Sequence, residues 1–151
     1  MCLIKLYAAR REKETITQKQ TDLSGMENQM ANNMLTKSFS YKEVQCRCGC
    51  KKAEMKPEFM TVLQKLRDLC GFPLVITSGY RCPRHNKAVG GAMNSSHMKG
   101  IAVDIDISQM PEERREKLLE AIKSIKEIKG VGIAKSFIHI DTRAEKATWV
   151  Y

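Results

Sequence analysis

The sequence lacks any run of the roughly 20 apolar residues that a membrane-spanning helix needs, so it predicts no such helix. It is also poor in aromatic residues, at 6%, and these do not alternate with basic residues as they do on surfaces that stack nucleic-acid bases. A content of 42% hydrophobic and 28% charged residues is ordinary for a globular protein, and it excludes a collagen-like, coiled-coil or wholly disordered chain. With 151 residues, the chain is long enough for one compact domain and too short for two sizeable ones.

The N-terminus lacks the core of a secretory signal peptide, because Arg10 and Arg11 follow only a short apolar stretch. We therefore expect the protein to be made in the cytoplasm without a signal peptide, where most of its six cysteines stay free thiols. Cys46, Cys48 and Cys50 have C-x-C-x-C spacing, which differs from the paired C-x2-C spacing of zinc ribbons. We interpret these three cysteines as thiols in a tight turn rather than as metal ligands.

Positive charge dominates the chain, with 26 Lys and Arg against 17 Asp and Glu, a net charge of +9. A surplus of this size favours a polyanionic partner, such as nucleic acid, an anionic membrane surface or an acidic cell wall. The basic residues are dispersed and few aromatic residues accompany them, so we expect no nucleic-acid partner. Attraction to an anionic cell wall, weakened by added salt, is the functional interpretation of the charge.

The chain divides near residue 38. Residues 1–38 are rich in Gln, Asn, Thr, Lys and Glu and show no strong period, so we interpret them as a poorly ordered or accessory N-terminal extension. Residues 39–151 have the patterns of a folded domain. Apolar residues at helical spacing predict helices at 57–70 and 111–129, and the many Gly, Pro and Asn residues over 79–100 predict a long functional loop.

Two later segments, 102–107 and 137–143, alternate between apolar and polar residues. Each predicts a strand with one apolar and one polar face. If the two strands pair antiparallel, Asp104 and His139 lie side by side, and the apolar faces pack on the helices. The sequence therefore predicts a single α+β domain, with a small antiparallel sheet that carries helices on one face and polar, potentially metal-binding residues on the other.

Three residues of this region have the chemistry of zinc ligands. His97 precedes Asp104 by seven residues in the chain, and His139 lies on the other predicted strand. Two imidazoles and a carboxylate plus one water form the arrangement of a catalytic zinc site, in which the water becomes a nucleophile. The H-x6-D spacing is loose, however, and hydrogen-bonded histidines near a solvated Asp explain it at least as well.

Three stretches carry a more specific combination of motifs: S-G-Y-R-C-P-R-H-N at 78–86, S-x-H-x-x-G-x-A-x-D at 95–104, and F-I-H-I-D at 137–141. Together they resemble the zinc D-Ala-D-Ala metallopeptidases, whose fold is shared with the Hedgehog signalling domain, over about residues 39–149. The resemblance implies a Zn²⁺ cofactor and hydrolysis of a peptide bond in peptidoglycan stem peptides, by a D-Ala-D-Ala carboxypeptidase or an endolysin-type endopeptidase. Many such proteins are phage endolysins, which implies action on the cell wall after phage-mediated release.

The resemblance also implies roles for individual residues. His97, Asp104 and His139 are its zinc ligands, and Arg81 binds the substrate or polarises the scissile carbonyl. An Arg at this position can hold a substrate carboxylate through a two-pronged hydrogen bond.

His85 and Ser95 are further candidates for substrate binding, because both lie in the predicted functional loop. A hydrogen bond that fixes the loop is the simpler interpretation of His85. Ser95 could instead form a hydrogen bond that fixes the turn at His97, and a plain turn residue explains it equally well. Cys82 lies close to His85 in the sequence and would allow a cysteine peptidase in principle. The zinc ligands explain more residues.

The general base is absent from its usual positions. Related peptidases carry an acidic residue or a His at positions where this chain has Ser136 and Phe137. Asp141 follows His139 by two residues on the same strand face, where it either takes a proton from water as a catalytic base or only orients a ligand. Asp106 is a weaker candidate for either role. The alternative function is therefore a catalytically inactive zinc-containing module that binds cell-wall peptides or a protein partner.

Overall fold

The computed structural model describes residues 33–151, and this part of the chain contains nine helices and strands. Residues 35–151 form one compact unit. In chain order the elements are α1 (Tyr41–Val44), α2 (Pro57–Cys70), β1 (Ile76–Ser78), α3 (Pro83–Ala88), β2 (Ala102–Asp106), α4 (Glu112–Ser124), β3 (Gly130–Ile133), β4 (Phe137–Asp141) and β5 (Ala147–Val150).

The five strands form one sheet in the order β1-β2-β4-β3-β5. The pairs β1–β2, β2–β4 and β3–β4 are antiparallel, while β5 joins β3 in parallel. The predicted α+β fold is confirmed, and its sheet is mixed because of this one edge strand. Strand β5 was not predicted, although its run Ala-Thr-Trp-Val has strong β propensity. A four-residue run is too short for its pairing to be recognised from alternation alone.

The core lies between the apolar face of the sheet and helices α2 and α4, as the alternation predicts. Four apolar side chains on this face of the central strands are fully buried, and each stabilises the fold by about 1.5–3 kcal/mol relative to exposure. They pack with Leu and Ile side chains of the two helices. These core residues are Val103, Ile105, Ile138 and Ile140 in the strands and Leu63, Leu66, Leu118 and Ile122 in the helices.

The two long helices end differently. Helix α2 begins at Pro57 and is closed by Gly71, whose φ of 72° is left-handed and whose N–H donates to the Arg67 carbonyl at 3.1 Å. Helix α4 is shorter than the predicted 111–129, because the chain becomes extended at Ile125. Ile125 and Ile128 remain in the core. The apolar period therefore continues past the end of the helix.

The predicted loop at 79–100 is largely irregular, but it contains the short helix α3. Pro83 occupies the first helical position, and the Sγ of Cys82 accepts a hydrogen bond from the backbone N–H of His85 at 3.4 Å. The proline ring fixes φ at a helical value, so a short helix forms within the predicted loop in spite of the many Gly and Asn residues there.

The predicted N-terminal extension, residues 1–38, lies outside the described residues as far as residue 32. The remaining part includes Thr36 and Ser38, which hydrogen-bond to the Gln64 side chain of α2 at 2.8 and 2.9 Å. The domain boundary at residue 38 stays a prediction. None of the helices in residues 33–151 has the length and apolar character to cross a membrane.

Candidate metal centre

The polar face of the sheet places Asp104 of β2 directly opposite His139 of β4. Opposed side chains in an antiparallel pair lie about 4.5–5.5 Å apart at their Cβ atoms, which brings a carboxylate and an imidazole into contact. The turn before β2 adds His97. It closes at Gly100, whose φ is +70° and whose added Cβ would lie 2.0 Å from the Glu54 carbonyl oxygen, so the turn requires glycine there.

The structure brings together the three residues that the sequence analysis named as metal ligands. His97 Nε2 lies 3.2 Å from His139 Nδ1 and 3.3 Å from Asp104 Oδ1. His139 Nδ1 lies 2.9 Å from the same Asp104 oxygen. All three residues are nearly buried, with 3 to 5% of their surface exposed. Two strands and one turn therefore direct two nitrogens and one oxygen to a common point.

The far nitrogen of each imidazole is held by a fixed acceptor. His97 Nδ1 donates to the Gly79 carbonyl oxygen at 2.7 Å, and His139 Nε2 donates to Asp141 Oδ2 at 3.0 Å. In neutral imidazoles, the two nitrogens that face Asp104 then carry only lone pairs. Three electron-rich atoms about 3 Å apart repel one another unless a cation lies among them.

The contacts within the centre shift the pKa values of His139 and Asp104 in opposite directions. Burial by itself lowers the pKa of His139, but hydrogen bonds to Asp104 and Asp141 outweigh it and raise the pKa above its ordinary value. Burial likewise raises the pKa of Asp104, but its hydrogen bonds with His139 and His97 hold that pKa well below the usual range. The carboxylate is therefore ionised at neutral pH.

The three facing atoms fit zinc. A tetrahedral site with metal–ligand bonds of about 2.0–2.1 Å has edges of about 3.3 Å. The observed separations of 3.2, 3.3 and 2.9 Å are close to that length. Imidazole nitrogen and carboxylate oxygen are both zinc ligands, and three protein ligands leave one position for solvent or substrate.

Arg81 connects the centre to the end of β1. Its Nη2 donates to Asp104 Oδ2 at 2.7 Å, and its Nε donates to Ser78 Oγ at 2.9 Å. Its backbone N–H also donates to the carbonyl of His97 at 3.3 Å. Arg81 therefore fixes the carboxylate oxygen that does not face the imidazoles, and it neutralises part of that charge.

The carboxylate of Asp141 is fully buried behind His139. Arg143 donates to Asp141 Oδ1 from its backbone N–H at 3.0 Å and from its Nε at 2.8 Å. Burial by itself raises the pKa of Asp141, but hydrogen bonds from Arg143 and His139 hold it far below the ordinary value. Both oxygens are thus occupied as acceptors, on the side of His139 away from the other ligands.

A cavity of about 610 Å³ opens over the centre, and His97, Asp104 and His139 are part of its lining. Basic and aromatic residues form much of the rest. These residues are Arg81, Lys99, Arg143, Phe137, Trp149 and Tyr151. The centre therefore lies at the wall of a space large enough for a short peptide.

The profile of the family described as peptidase M15 matches residues 32–141, which span the three facing residues and Arg81. The chain belongs to the peptidase M15 family. This membership confirms the resemblance to zinc D-Ala-D-Ala metallopeptidases and indicates a zinc metallopeptidase, a hydrolase that acts on peptides. A comparison with curated proteins found no match.

The other predicted site residues of this M15 chain lie in different places relative to the cavity. Ser95 lines the cavity, and its Oγ accepts the backbone N–H of His97 at 3.3 Å, which is a turn-fixing role. His85 lies in α3, outside the described lining of the cavity. Asp106 lies at the end of β2, where its Oδ1 accepts the N–H of Ser108 at 2.8 Å. The role of His85 as a substrate contact stays a prediction.

Two residues beside the M15 centre, Arg143 and Trp149, were not predicted as site residues. The Arg143 guanidinium lies 4.7 Å over the Trp149 ring, and that ring lies 5.3 Å from the imidazole of His139. The sequence did contain a signal for Arg143, because the alternation places it on the same strand face as His139 and Asp141. The sequence contained no such signal for Trp149, since its position beside the centre follows from the parallel pairing of β5 with β3.

Proposed function

We propose that the protein hydrolyses a peptide bond in peptidoglycan stem peptides with bound zinc, as a D-Ala-D-Ala carboxypeptidase or an endolysin-type endopeptidase. The convergence of His97, Asp104 and His139 at the wall of a cavity carries this proposal. Membership of the M15 family supports the zinc peptidase chemistry. The cationic surface supports a cell-wall substrate, because the chain has a net charge of +9.

His97, Asp104 and His139 hold the ion in this proposal. When bound, zinc supplies a Lewis acid that polarises a carbonyl oxygen and makes water a stronger nucleophile near neutral pH. The Gly79 carbonyl and the Asp141 carboxylate fix the tautomer and the orientation of the two imidazoles. We assign Asp141 this positioning role, because both of its oxygens are engaged and it is fully buried.

Arg81 holds both the centre and the substrate in this proposal. Two of its nitrogens are engaged by Ser78 and Asp104, and no residue of the described chain accepts a hydrogen bond from its Nη1. Arg81 lines the cavity, so Nη1 can donate to a carboxylate or to the scissile carbonyl of a bound peptide.

The charge of the cavity favours an anionic peptide. Lys99 and Arg143 line it together with Arg81, whereas Asp104 is the one carboxylate in the described lining. Arg81 and the ion neutralise that carboxylate. Stem peptides carry free carboxylates, and a basic lining attracts them in a salt-dependent manner.

The same lining favours a second candidate function. Beyond Asp104, the described residues around the cavity offer no carboxylate to take a proton from water, and Ser136 and Phe137 stand where related peptidases carry their base. A site that binds zinc and a peptide without hydrolysing it would have this composition. A catalytically inactive module that binds cell-wall peptides or a protein partner is therefore the alternative.

One experiment separates the two functions. Purified full-length protein, loaded with zinc, is incubated with peptidoglycan with and without a chelator, and new amino and carboxyl ends are measured. Mass spectrometry of the released fragments distinguishes loss of terminal D-Ala from cleavage inside the stem. Zinc added back after chelation and a His97→Ala variant serve as matched controls.

A peptidase releases new ends that disappear with the chelator, return with zinc and are absent from His97→Ala. Zinc-loaded protein that sediments with peptidoglycan but releases nothing would overturn the proposal in favour of the binding module. Release that persists in the His97→Ala variant and in the presence of the chelator would exclude zinc catalysis at this centre.

A further inference from the structure

A second cluster of ligand atoms lies apart from the centre described above. Cys48 Sγ is 3.5 Å from Cys46 Sγ and 3.6 Å from Cys82 Sγ. The Sγ atom of Cys50 completes the group, and all four sulfurs lie within 4.8 Å of one another. All four are free thiols. We propose that Cys46, Cys48, Cys50 and Cys82 bind a second zinc ion with a structural role.

The spacing of the sulfurs fits a single tetrahedral ion. A zinc ion with four Zn–S bonds of about 2.3 Å separates its sulfurs by about 3.8 Å. The separations of 3.5, 3.6 and at most 4.8 Å bracket that value. An iron–sulfur cluster must accommodate several irons and sulfides between its thiolates, and these separations leave room for one ion. Four thiolates select zinc among common divalent ions, and they close the site to water.

Backbone N–H groups donate hydrogen bonds to two of the sulfurs, as they commonly do to metal-bound thiolates. The N–H of Cys82 donates to Cys46 Sγ at 3.4 Å, and the N–H of His85 donates to Cys82 Sγ at 3.4 Å. Cys46 and Cys82 are buried with Tyr80 in a small cluster separate from the main core. Cys48 is half-buried and Cys50 is exposed, so these two thiols contribute little to packing unless an ion joins them to the buried pair.

Neighbouring cations balance the charge of such a site. Four thiolates and one zinc ion carry a net charge of −2. Arg47, Lys51, Lys52 and Arg84 lie within two positions of a cysteine ligand in the chain. Arg47 is anchored nearby, because its Nη2 donates to the Ile76 carbonyl at 2.9 Å. The local excess of positive charge therefore stabilises an anionic metal–thiolate group.

The site joins two distant parts of the chain next to Arg81. Three ligands come from the turn after α1, and the fourth, Cys82, precedes α3. Successive backbone N–H groups of the second segment donate to Val44, to His97 and to the Cys46 sulfur. An ion at the cysteines therefore fixes the backbone from which Arg81 reaches Asp104, and this positioning role rests on the proposed function.

Metal analysis of the full-length protein tests the site without reference to activity. Zinc-loaded protein, freed of unbound metal, is expected to contain two zinc ions per chain. A His97→Ala variant is expected to retain the cysteine-bound ion, and a Cys48→Ser/Cys50→Ser double variant to retain the other. Cys70→Ala is the matched control, because it removes a thiol of the core outside the cluster and is expected to retain both ions.

Cobalt substitution assigns each ion to its site. Cobalt(II) bound by four thiolates gives intense sulfur-to-metal charge-transfer absorption, and cobalt bound by imidazole and carboxylate does not. The charge-transfer band should be present in His97→Ala and absent from the double variant. A wild-type chain with one zinc, no such band with cobalt, or one iron in place of zinc would overturn the proposal.

If the Cys48→Ser/Cys50→Ser double variant does not fold, the reaction rate of Cys50 in the wild-type protein tests the site instead. Cys50 is exposed in the structure, so as a free thiol it should react rapidly with iodoacetamide in the native protein. As a zinc ligand it should react at least tenfold more slowly until a chelator is added. Equal rates with and without the chelator would contradict the site, and they would leave the proposed peptidase function untouched.

Discussion

Gly130 lies directly opposite Asp141 in the β3–β4 pair, and a Cβ added to Gly130 would come within 2.2 Å of Asp141 Oδ1. The carboxylate fills the space that a side chain at position 130 would occupy. From there its Oδ2 accepts the hydrogen bond of His139 Nε2 at 3.0 Å. The absence of one side chain on a neighbouring strand thus permits the orientation of an imidazole in the candidate metal centre.

Substitution Gly130→Ala should therefore weaken zinc binding at this centre. The added methyl group displaces the Asp141 carboxylate, and loss of such an outer partner lowers metal affinity by about 10–100-fold. Overpacking should also reduce the free energy of unfolding by about 1–3 kcal/mol. Zinc titration against a competing chelator and a thermal melt measure the two effects. Val150→Ala, at an exposed position of the edge strand β5, should bind zinc normally. Wild-type zinc affinity in Gly130→Ala would contradict this account.

Substitution Asp141→Asn separates orientation from proton transfer. Asn leaves Arg143 without a charged partner and weakens the hydrogen bond to His139, so zinc affinity should fall by about 10–100-fold. Once saturated with zinc, the variant should keep its kcat within about tenfold, whereas loss of a general base costs about 10²–10⁴-fold. The measurement is kcat at saturating zinc over a range of pH. A flattened pH profile with normal zinc affinity would make Asp141 the base. Glu145→Gln, which removes an exposed carboxylate nearby, is the control.

Substitution Arg81→Lys tests the guanidinium geometry. Lysine keeps the positive charge but cannot bond Ser78 and Asp104 while presenting another N–H group to the substrate. Loss of one hydrogen bond to a charged group costs about 1.5–3 kcal/mol, so kcat/KM should fall by roughly 10–100-fold. The comparison is made at saturating zinc, where the variant should still hold the ion because its three ligands are unchanged. Arg67→Lys on the helix face of the domain should behave like the wild type. A variant with full activity would remove Arg81 from the substrate site.

Substitution Trp149→Leu should affect peptide binding and leave the metal in place. The ring supports Arg143 through a cation–π contact at 4.7 Å, which is worth about 0.5–1 kcal/mol at an exposed site. KM should therefore rise by roughly two- to fivefold with little change in kcat. Steady-state kinetics on a soluble stem peptide measure both parameters. Val150→Ala, at a neighbouring exposed position, should leave KM unchanged. Loss of zinc from the Trp149 variant would show that the ring supports the centre itself.

The sequence alone determined which side chains share a face of the central strands. Strand side chains alternate with a period of two, so the pattern around Asp104 and His139 predicted an apolar face against the helices and a polar face away from them. Both helices were visible for a similar reason, from the 3.6-residue spacing of their apolar residues. The combination and order of the motifs were enough to show the resemblance to the zinc D-Ala-D-Ala metallopeptidases, and that resemblance named the three facing residues.

The register of the sheet decided what each of those residues does. Asp141 has the same spacing from His139 whether it takes a proton or orients a ring. Only its burial against Arg143 and Gly130 favours orientation. Trp149 became part of the cavity wall through the parallel pairing of β5, which no local pattern encodes.

The four clustered cysteines show most clearly what the sequence displays and what only the tertiary structure decides. The C-x-C-x-C spacing supplies three sulfurs, and it reads as an ordinary turn because no paired motif follows it. Cys82 joins them only after the chain has passed through α2 and β1. Periodicity and motif spacing are local properties that a sequence displays directly. The approach of groups far apart in the chain is decided by core packing and strand pairing, and it appears only in the tertiary structure.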